Sequence, residues 1–183
     1  MTFIPDWNKR PKIVPPASKT DKIIEAIALI GVLLSVIIVI YSVIILPEII
    51  PTHYNISGGV DTYGSKWPIF ITFLIPIIFL YALLTYVNKY PYNFNYAMKV
   101  TEENALRLYR NACTMMRSLK AAVIWMLLVT EWFFVMLLPN NQGLTGLSWI
   151  SWIIMILFII VIAVIIVCAA AGQIREGKQK NTF

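Results

Sequence analysis

The residues Pro47-Glu-Ile-Ile-Pro-Thr-His-Tyr-Asn-Ile-Ser-Gly-Gly-Val-Asp-Thr-Tyr-Gly-Ser-Lys66 form a polar, proline- and glycine-rich stretch between two long apolar segments. The stretch contains the single histidine of the chain, His53. Its two prolines restrict the backbone. Asn55 and Asp61 are natural turn formers, and its glycines allow positive φ and close approach of the backbone. We therefore predict a structured loop over residues 47–68 that joins two membrane helices.

The composition indicates a membrane protein. Hydrophobic residues make up 59% of the 183 residues and charged residues 13%, against roughly 25% charged in soluble domains. A soluble fold of this size could not bury so much apolar surface, whereas a bilayer can serve as its solvent. The net charge of +6 does not indicate nucleic-acid binding, because the basic residues flank apolar segments instead of forming a patch with stacking aromatics.

Four apolar segments have the length of membrane spans. About 24 residues of helix reach roughly 36 Å, which exceeds a hydrocarbon core of about 30 Å. The sequence thus predicts an all-α polytopic membrane protein with four transmembrane helices and a structured extracellular loop. The predicted spans are residues 23–46, 69–87, 119–138 and 147–171.

The remaining segments are predicted to be polar tails and connections. Residues 1–22 are a basic, proline-broken tail that is expected to be partly disordered, and 172–183 are a short basic tail. Within the connection 88–118, Thr101 is a candidate N-cap for an amphipathic helix. That helix either lies along the membrane or continues into the third span, and the absence of Gly and Pro between them favours continuity.

The basic side chains of this amphipathic helix form the face opposite its apolar residues. Arg107, Arg110 and Arg117 are the members of that face. They are expected to contact solvent or lipid headgroups, or alternatively to bind a cytoplasmic protein partner.

The distribution of Lys and Arg predicts the orientation. Fourteen lie in the two tails and the 88–120 connection, and one, Lys66, lies in the motif loop. The positive-inside rule then places both termini in the cytoplasm and the motif loop outside. Four tryptophans near the predicted outer helix ends agree with an aromatic belt: Trp67, Trp132, Trp149 and Trp152. Cys113 and Cys168 fall on the inner side, so we expect no disulfide. The polar start of the chain indicates no cleavable signal peptide.

The motif loop has two open interpretations. It is either a polar binding site or a structural loop whose polar groups satisfy its own backbone. A metal site is disfavoured because the loop has one histidine, no outward cysteine and no established ligand spacing. We expect no metal and no cofactor.

The order of residues in the loop resembles the signature of a bacterial membrane domain of unknown function, found at the N-terminus of the sporulation-delaying-protein immunity (SdpI) family. The resemblance covers roughly residues 30–85, within a two-helix domain at 23–87. The matching positions are Pro47, Pro51, His53, Asn55, Gly58, Asp61, Gly64 and Lys66.

This resemblance implies a role in immunity or signalling at the cell membrane. The immunity member protects a cell from a secreted toxic peptide and is proposed to sequester a repressor at the membrane. Such members usually carry a further membrane region, for which this chain is too short. We therefore transfer positions from the family but no residue roles.

Glu131 lies inside the third predicted span, where an ionisable group is costly and is a functional candidate by default. One possibility is an ion pair with His53 or Lys66 dipping in from the loop. A second is a protonated carboxyl group hydrogen-bonded to a hydroxyl or backbone group. A third is a proton or ion pathway.

These observations predict a non-enzymatic membrane protein of the immunity or signalling type. Its outer loop is expected to bind a secreted peptide, a lipid or an envelope component. The alternative is a small transporter or accessory subunit that uses Glu131. An enzyme is disfavoured because the chain lacks a serine–histidine pattern, credibly spaced carboxylates and an outward nucleophilic cysteine.

Overall fold

The computed structural model describes residues 10–55, 59–137, 153, 156–168 and 171. Within these ranges the fold is mostly helical, with one small antiparallel sheet. The elements are α1 (Lys19–Ile45), β1 (Ile49–Tyr54), β2 (Val60–Ser65), α2 (Pro68–Val87), a 3-10 turn (Pro91–Asn93), α3 (Glu102–Leu137) and α4 (Ile156–Cys168).

Helix α1 begins at a capping box. The Ser18 hydroxyl accepts from the backbone N–H of Asp21, and the Asp21 carboxylate accepts from the backbone N–H of Ser18. Each side chain thus satisfies a donor that the helix start leaves unpaired. The helix ends where Leu46 becomes extended ahead of Pro47, a residue whose ring disfavours helical backbone in its predecessor.

The motif stretch forms a β-hairpin. Strand β1 pairs antiparallel with β2, from Ile49 opposite Ser65 to Tyr54 opposite Val60, and the register shifts on both sides of His53. The expectation of a purely all-α fold is therefore wrong in this segment. The hairpin explains why so short a polar stretch is rich in Ile, Val, Thr and Tyr, which suit a pleated backbone.

Three helices form the bundle. Helix α1 packs on α3, and α2 packs on both. The central core cluster joins Ala28 of α1, Ile77 of α2, and Ala121 and Ile124 of α3. Small residues on α1 permit close approach: a Cβ added at Gly31 would meet Cγ2 of Ile124 at 2.8 Å.

Helix α3 runs without interruption from Glu102 to Leu137, which confirms that the amphipathic segment continues into the third span. At its start, the Asn104 side chain accepts from the backbone N–H of Thr101 at 2.8 Å. The predicted cap residue Thr101 therefore stands at the helix start. Its own hydroxyl, however, makes no hydrogen bond among the described residues.

Within the described ranges, three helices, α1, α2 and α3, are long and apolar enough to cross a membrane. Their outward faces carry exposed isoleucines such as Ile37, Ile44 and Ile71, which is the surface that lipid rather than water would cover. The described part of α4 is shorter than the about 20 residues that a crossing needs. The rest of the predicted fourth span, the loop after Pro139, Trp149, Trp152 and the C-terminal tail lie outside the described residues.

The connection between α2 and α3 is ordered by the chain before α1. The Arg10 guanidinium donates to the backbone oxygens of Tyr92 at 3.0 Å and Phe94 at 2.7 Å, and lies over the Tyr96 ring. Burial raises the pKa of Tyr96, whose hydroxyl donates to the backbone oxygen of Pro91. Residues 10–18 form a docked segment without regular secondary structure, held to this connection by Arg10, whereas residues 1–9 lie outside the described ranges.

Candidate functional site

The β-hairpin sits at one end of the bundle, here called the hairpin end. Its base is apolar: Ile50 is 1% exposed and packs with Leu46 of the α1–β1 junction. Phe73 of α2 and Phe134 of α3 complete this second core cluster, with ring centroids 5.4 Å apart. The hairpin is therefore fixed to all three long helices rather than standing free above them.

Lys66 anchors the hairpin electrostatically. Its side chain is buried, and Nζ donates to the backbone oxygens of Val43 and Leu46, each at 3.0 Å. These carbonyl groups belong to the last turn of α1, where a helix leaves oxygens unpaired and favours positive charge. The Glu48 carboxylate, which is exposed, lies 3.1 Å from the same ammonium. Lys66 thus serves as a C-terminal cap for α1.

His53 and Asp61 form a pair on the exposed part of the hairpin. Nδ1 of His53 and Oδ1 of Asp61 lie 2.6 Å apart, and the two side chains are 68% and 42% exposed. Exposed pairs of this kind contribute little to the free energy of unfolding. The pair is consequently available for recognition without being needed to hold the fold.

The other motif residues shape the hairpin. The Asn55 side chain accepts from the backbone N–H of Gly59 at 2.8 Å, which closes the turn. At Gly64 a Cβ would meet Thr52 at 3.0 Å, so this glycine serves close strand approach and its φ lies outside the left-handed region. Pro51 is buried and Pro47 exposed. Gly58 lies outside the described residues.

Glu131 is fully buried, but neither predicted charge partner reaches it. Oε2 of Glu131 accepts from the Ser35 hydroxyl of α1 at 2.6 Å. Lys66 is instead engaged with α1 carbonyls and Glu48, and His53 with Asp61. The predicted ion pair between Glu131 and the loop is therefore wrong, because the Lys66 ammonium caps the C-terminal end of α1 instead. Oε1 of Glu131 has no hydrogen-bond partner in the described part of the chain.

A charged cluster missed by the sequence analysis lies at the opposite end, here called the polar end. Asp21 of α1 accepts from Thr114 of α3 at 2.7 Å and pairs with Arg117 at 3.3 Å. Lys120 of α3 pairs with Glu25 of α1 at 2.5 Å. The prediction that Arg117 shares the exposed face of Arg107 and Arg110 is therefore wrong. Arg117 points into the bundle, towards Asp21.

A signal for this cluster was present in the sequence. Asp21 and Glu25 are four residues apart in α1. In α3, Thr114, Arg117 and Lys120 recur every three residues. Residues three or four apart share one side of a helix. Complementary charge on two such sides indicates that α1 and α3 face each other.

No cluster of three or more His, Cys, Asp or Glu that could hold a metal ion occurs in the described ranges. Cys113, which is buried, and Cys168, which is exposed, are free thiols.

The hairpin and its two flanking helices define the region that is similar to a known family. Residues 29–80 match the family model of a domain of unknown function (DUF1648). The match runs from within α1 through the hairpin and into α2, and covers less than half of the chain. No curated protein matches the chain significantly, and no solved structure does.

Proposed function

We propose that this chain is a non-enzymatic membrane protein of the immunity or signalling type, whose hairpin binds a peptide, a lipid or an envelope component outside the cell. The observation that carries the proposal is the exposed His53–Asp61 pair, presented on a hairpin that the buried Lys66 anchors to α1. An anchored scaffold reduces the conformational entropy that binding must overcome.

The orientation belongs to the same proposal. The excess of Lys and Arg away from the hairpin supports an orientation with both termini in the cytoplasm and the hairpin outside. Arg107 and Arg110 then face the cytoplasm from the exposed side of α3, where an acidic protein partner can receive a signal. The link to immunity rests on the resemblance of the motif to the SdpI family and on a bacterial origin that this resemblance implies.

The test replaces His53 or Asp61 by alanine in the chromosomal copy of the source organism. If the hairpin is the recognition element, each variant reproduces the phenotype of a deletion strain toward secreted antibacterial peptides, while its amount in the membrane stays at the wild-type level. Thr62→Ala, at an exposed neighbouring position, is the matched control. Wild-type protection by both the His53 and the Asp61 variants would refute the proposal.

A second function, transport of protons or small ions, is favoured by one observation. The buried Glu131 has a carboxylate oxygen without a partner in the described ranges, and an ionisable group at membrane depth often marks a transport pathway. On this hypothesis, proteoliposomes show pH-dependent flux that Glu131→Gln abolishes and Glu48→Gln leaves intact. Equal flux in the Glu131 variant and the wild type would remove the hypothesis.

A further inference from the structure

An open cleft of about 460 Å³ lies at the polar end, bounded by α1, α2, α3 and the docked segment before α1. Its volume falls in the range of small-molecule sites. Six of its lining residues are charged, and four are apolar: Val14, Ala17, Ala26 and Leu29. The lining residues the argument uses are Lys22, Ala26, Leu29, Lys89, Arg117 and Lys120.

The charges of the cleft do not cancel. Four cationic and two acidic side chains line it. Arg117 and Lys120 are neutralised by Asp21 and Glu25. Lys22 and Lys89 are exposed, and neither forms an ion pair with any residue in the described part of the chain. Among the described residues, the cleft therefore carries two positive charges that no carboxylate pairs with.

The cleft crosses the boundary between the polar and apolar parts of α1. Lys22 and Glu25 are charged, whereas no charged residue occurs from Ala26 to the end of the helix. From Lys22 to Leu29 the helix rises about 10 Å, so one wall leads from ammonium groups to exposed aliphatic surface. An amphiphile with an anionic head and an aliphatic tail matches this wall, with its head at the ammonium groups and its tail on the aliphatic surface.

We propose that this cleft binds the phosphate headgroup of an anionic membrane phospholipid. Lys22 and Lys89 contact the phosphate, and the glycerol and upper acyl chain lie along Ala26 and Leu29. The salt bridges of Arg117 and Lys120 keep α1 and α3 together behind the headgroup, so the site is preformed. This site is independent of the hairpin and of the ligand proposed for it.

The experiment is native mass spectrometry of the purified full-length protein in detergent, titrated with phosphatidylglycerol. Because each basic residue near anionic lipid contributes about 1 kcal/mol, and about 1.4 kcal/mol is a tenfold change in affinity, the double variant Lys22→Gln/Lys89→Gln is expected to bind this lipid about 30-fold more weakly. Lys12→Gln/Lys99→Gln removes two exposed charges outside the cleft and is the matched control, with binding expected within about twofold of wild type.

Two further arms separate the possible ligands. Phosphatidylcholine, which has no net charge, is expected to bind about tenfold more weakly than phosphatidylglycerol. Soluble glycerol phosphate is expected not to compete, since it lacks the acyl chain. Ala26→Phe is expected to weaken the binding of phosphatidylglycerol. Equal losses in the cleft and control variants, or full competition by glycerol phosphate, would overturn the proposal.

Discussion

Lys66 ties the hairpin to the end of α1. Its ammonium donates hydrogen bonds to two carbonyl oxygens at the end of α1 and lies beside the Glu48 carboxylate. In Lys66→Met the aliphatic stem can still fill the space, but the carbonyl oxygens lose their donor. We expect the free energy of unfolding to fall by about 1.5–3 kcal/mol, the range for hydrogen bonds to charged groups.

The measurement is equilibrium unfolding of the variant in detergent micelles, followed by tryptophan fluorescence. Lys99→Met, at an exposed position, controls for the loss of charge and should unfold like the wild type. A Lys66 variant as stable as this control would show that the hairpin is held by its apolar base alone.

The partner of Glu131, the Ser35 hydroxyl, could be predicted from the sequence as a kind of group but not as a particular residue. The sequence identifies Glu131 as a buried ionisable group, and the pairing with a hydroxyl was one of three interpretations. The identity of the hydroxyl depends on how α1 is rotated against α3, which a nearly uniform run of Ile, Leu and Val does not reveal. Ser35→Ala is expected to cost about 1 kcal/mol in the same unfolding assay, since one buried hydrogen bond is lost.

At the scale of elements, the contact between α1 and α3 depends on a small residue. The Cβ that any other residue would add at Gly31 meets the Ile124 side chain at 2.8 Å. Gly31→Leu should therefore force the helices apart, at a cost of about 1–3 kcal/mol for overpacking.

Thermal unfolding in detergent checks this prediction. Ile37→Leu, on the exposed face of α1, is the volume-conserving control and should leave the midpoint unchanged. A Gly31→Leu midpoint equal to that of the control would mean that α1 and α3 are not closely packed at this level.

The three long helices could be predicted from the sequence, and the hairpin could not. Long apolar runs ended by Pro47 and begun near Pro68 determine α1 and α2, and unbroken helical periodicity determines α3. The strands, by contrast, carry Pro51, a register shift at His53 and a linker rich in Gly, which hide the alternation expected of a hairpin. The β-branched residues of Ile49–Tyr54 and Val60–Ser65 were the signal available for it.

At the scale of the whole molecule, charge is divided between two ends of one bundle. At the hairpin end Lys66 caps α1, and at the polar end two described salt bridges join α1 and α3. An ion pair away from water is costly to break on one side only. The polar cluster should thus fix the register of these helices.

A double-mutant cycle tests this role. Glu25→Gln leaves the buried Lys120 ammonium without its carboxylate, and Lys120→Met removes the ammonium. Each single change should cost about 2 kcal/mol, less than for a fully buried pair, because Glu25 is 33% exposed. The double variant should cost less than the two singles together. Strict additivity would show that the pair makes no coupled contribution.

We propose that the anchored hairpin presents His53 and Asp61 outside the cell. The most direct measurement is labelling of single cysteines at positions 53, 61 and 50 with a membrane-impermeant thiol reagent on intact cells, after Cys113 and Cys168 are replaced by alanine. We predict rapid labelling at positions 53 and 61 and protection at position 50, where Ile50 is buried in the hairpin base. Labelling at 53 and 61 only after the cells are permeabilised would refute the proposed orientation of the hairpin.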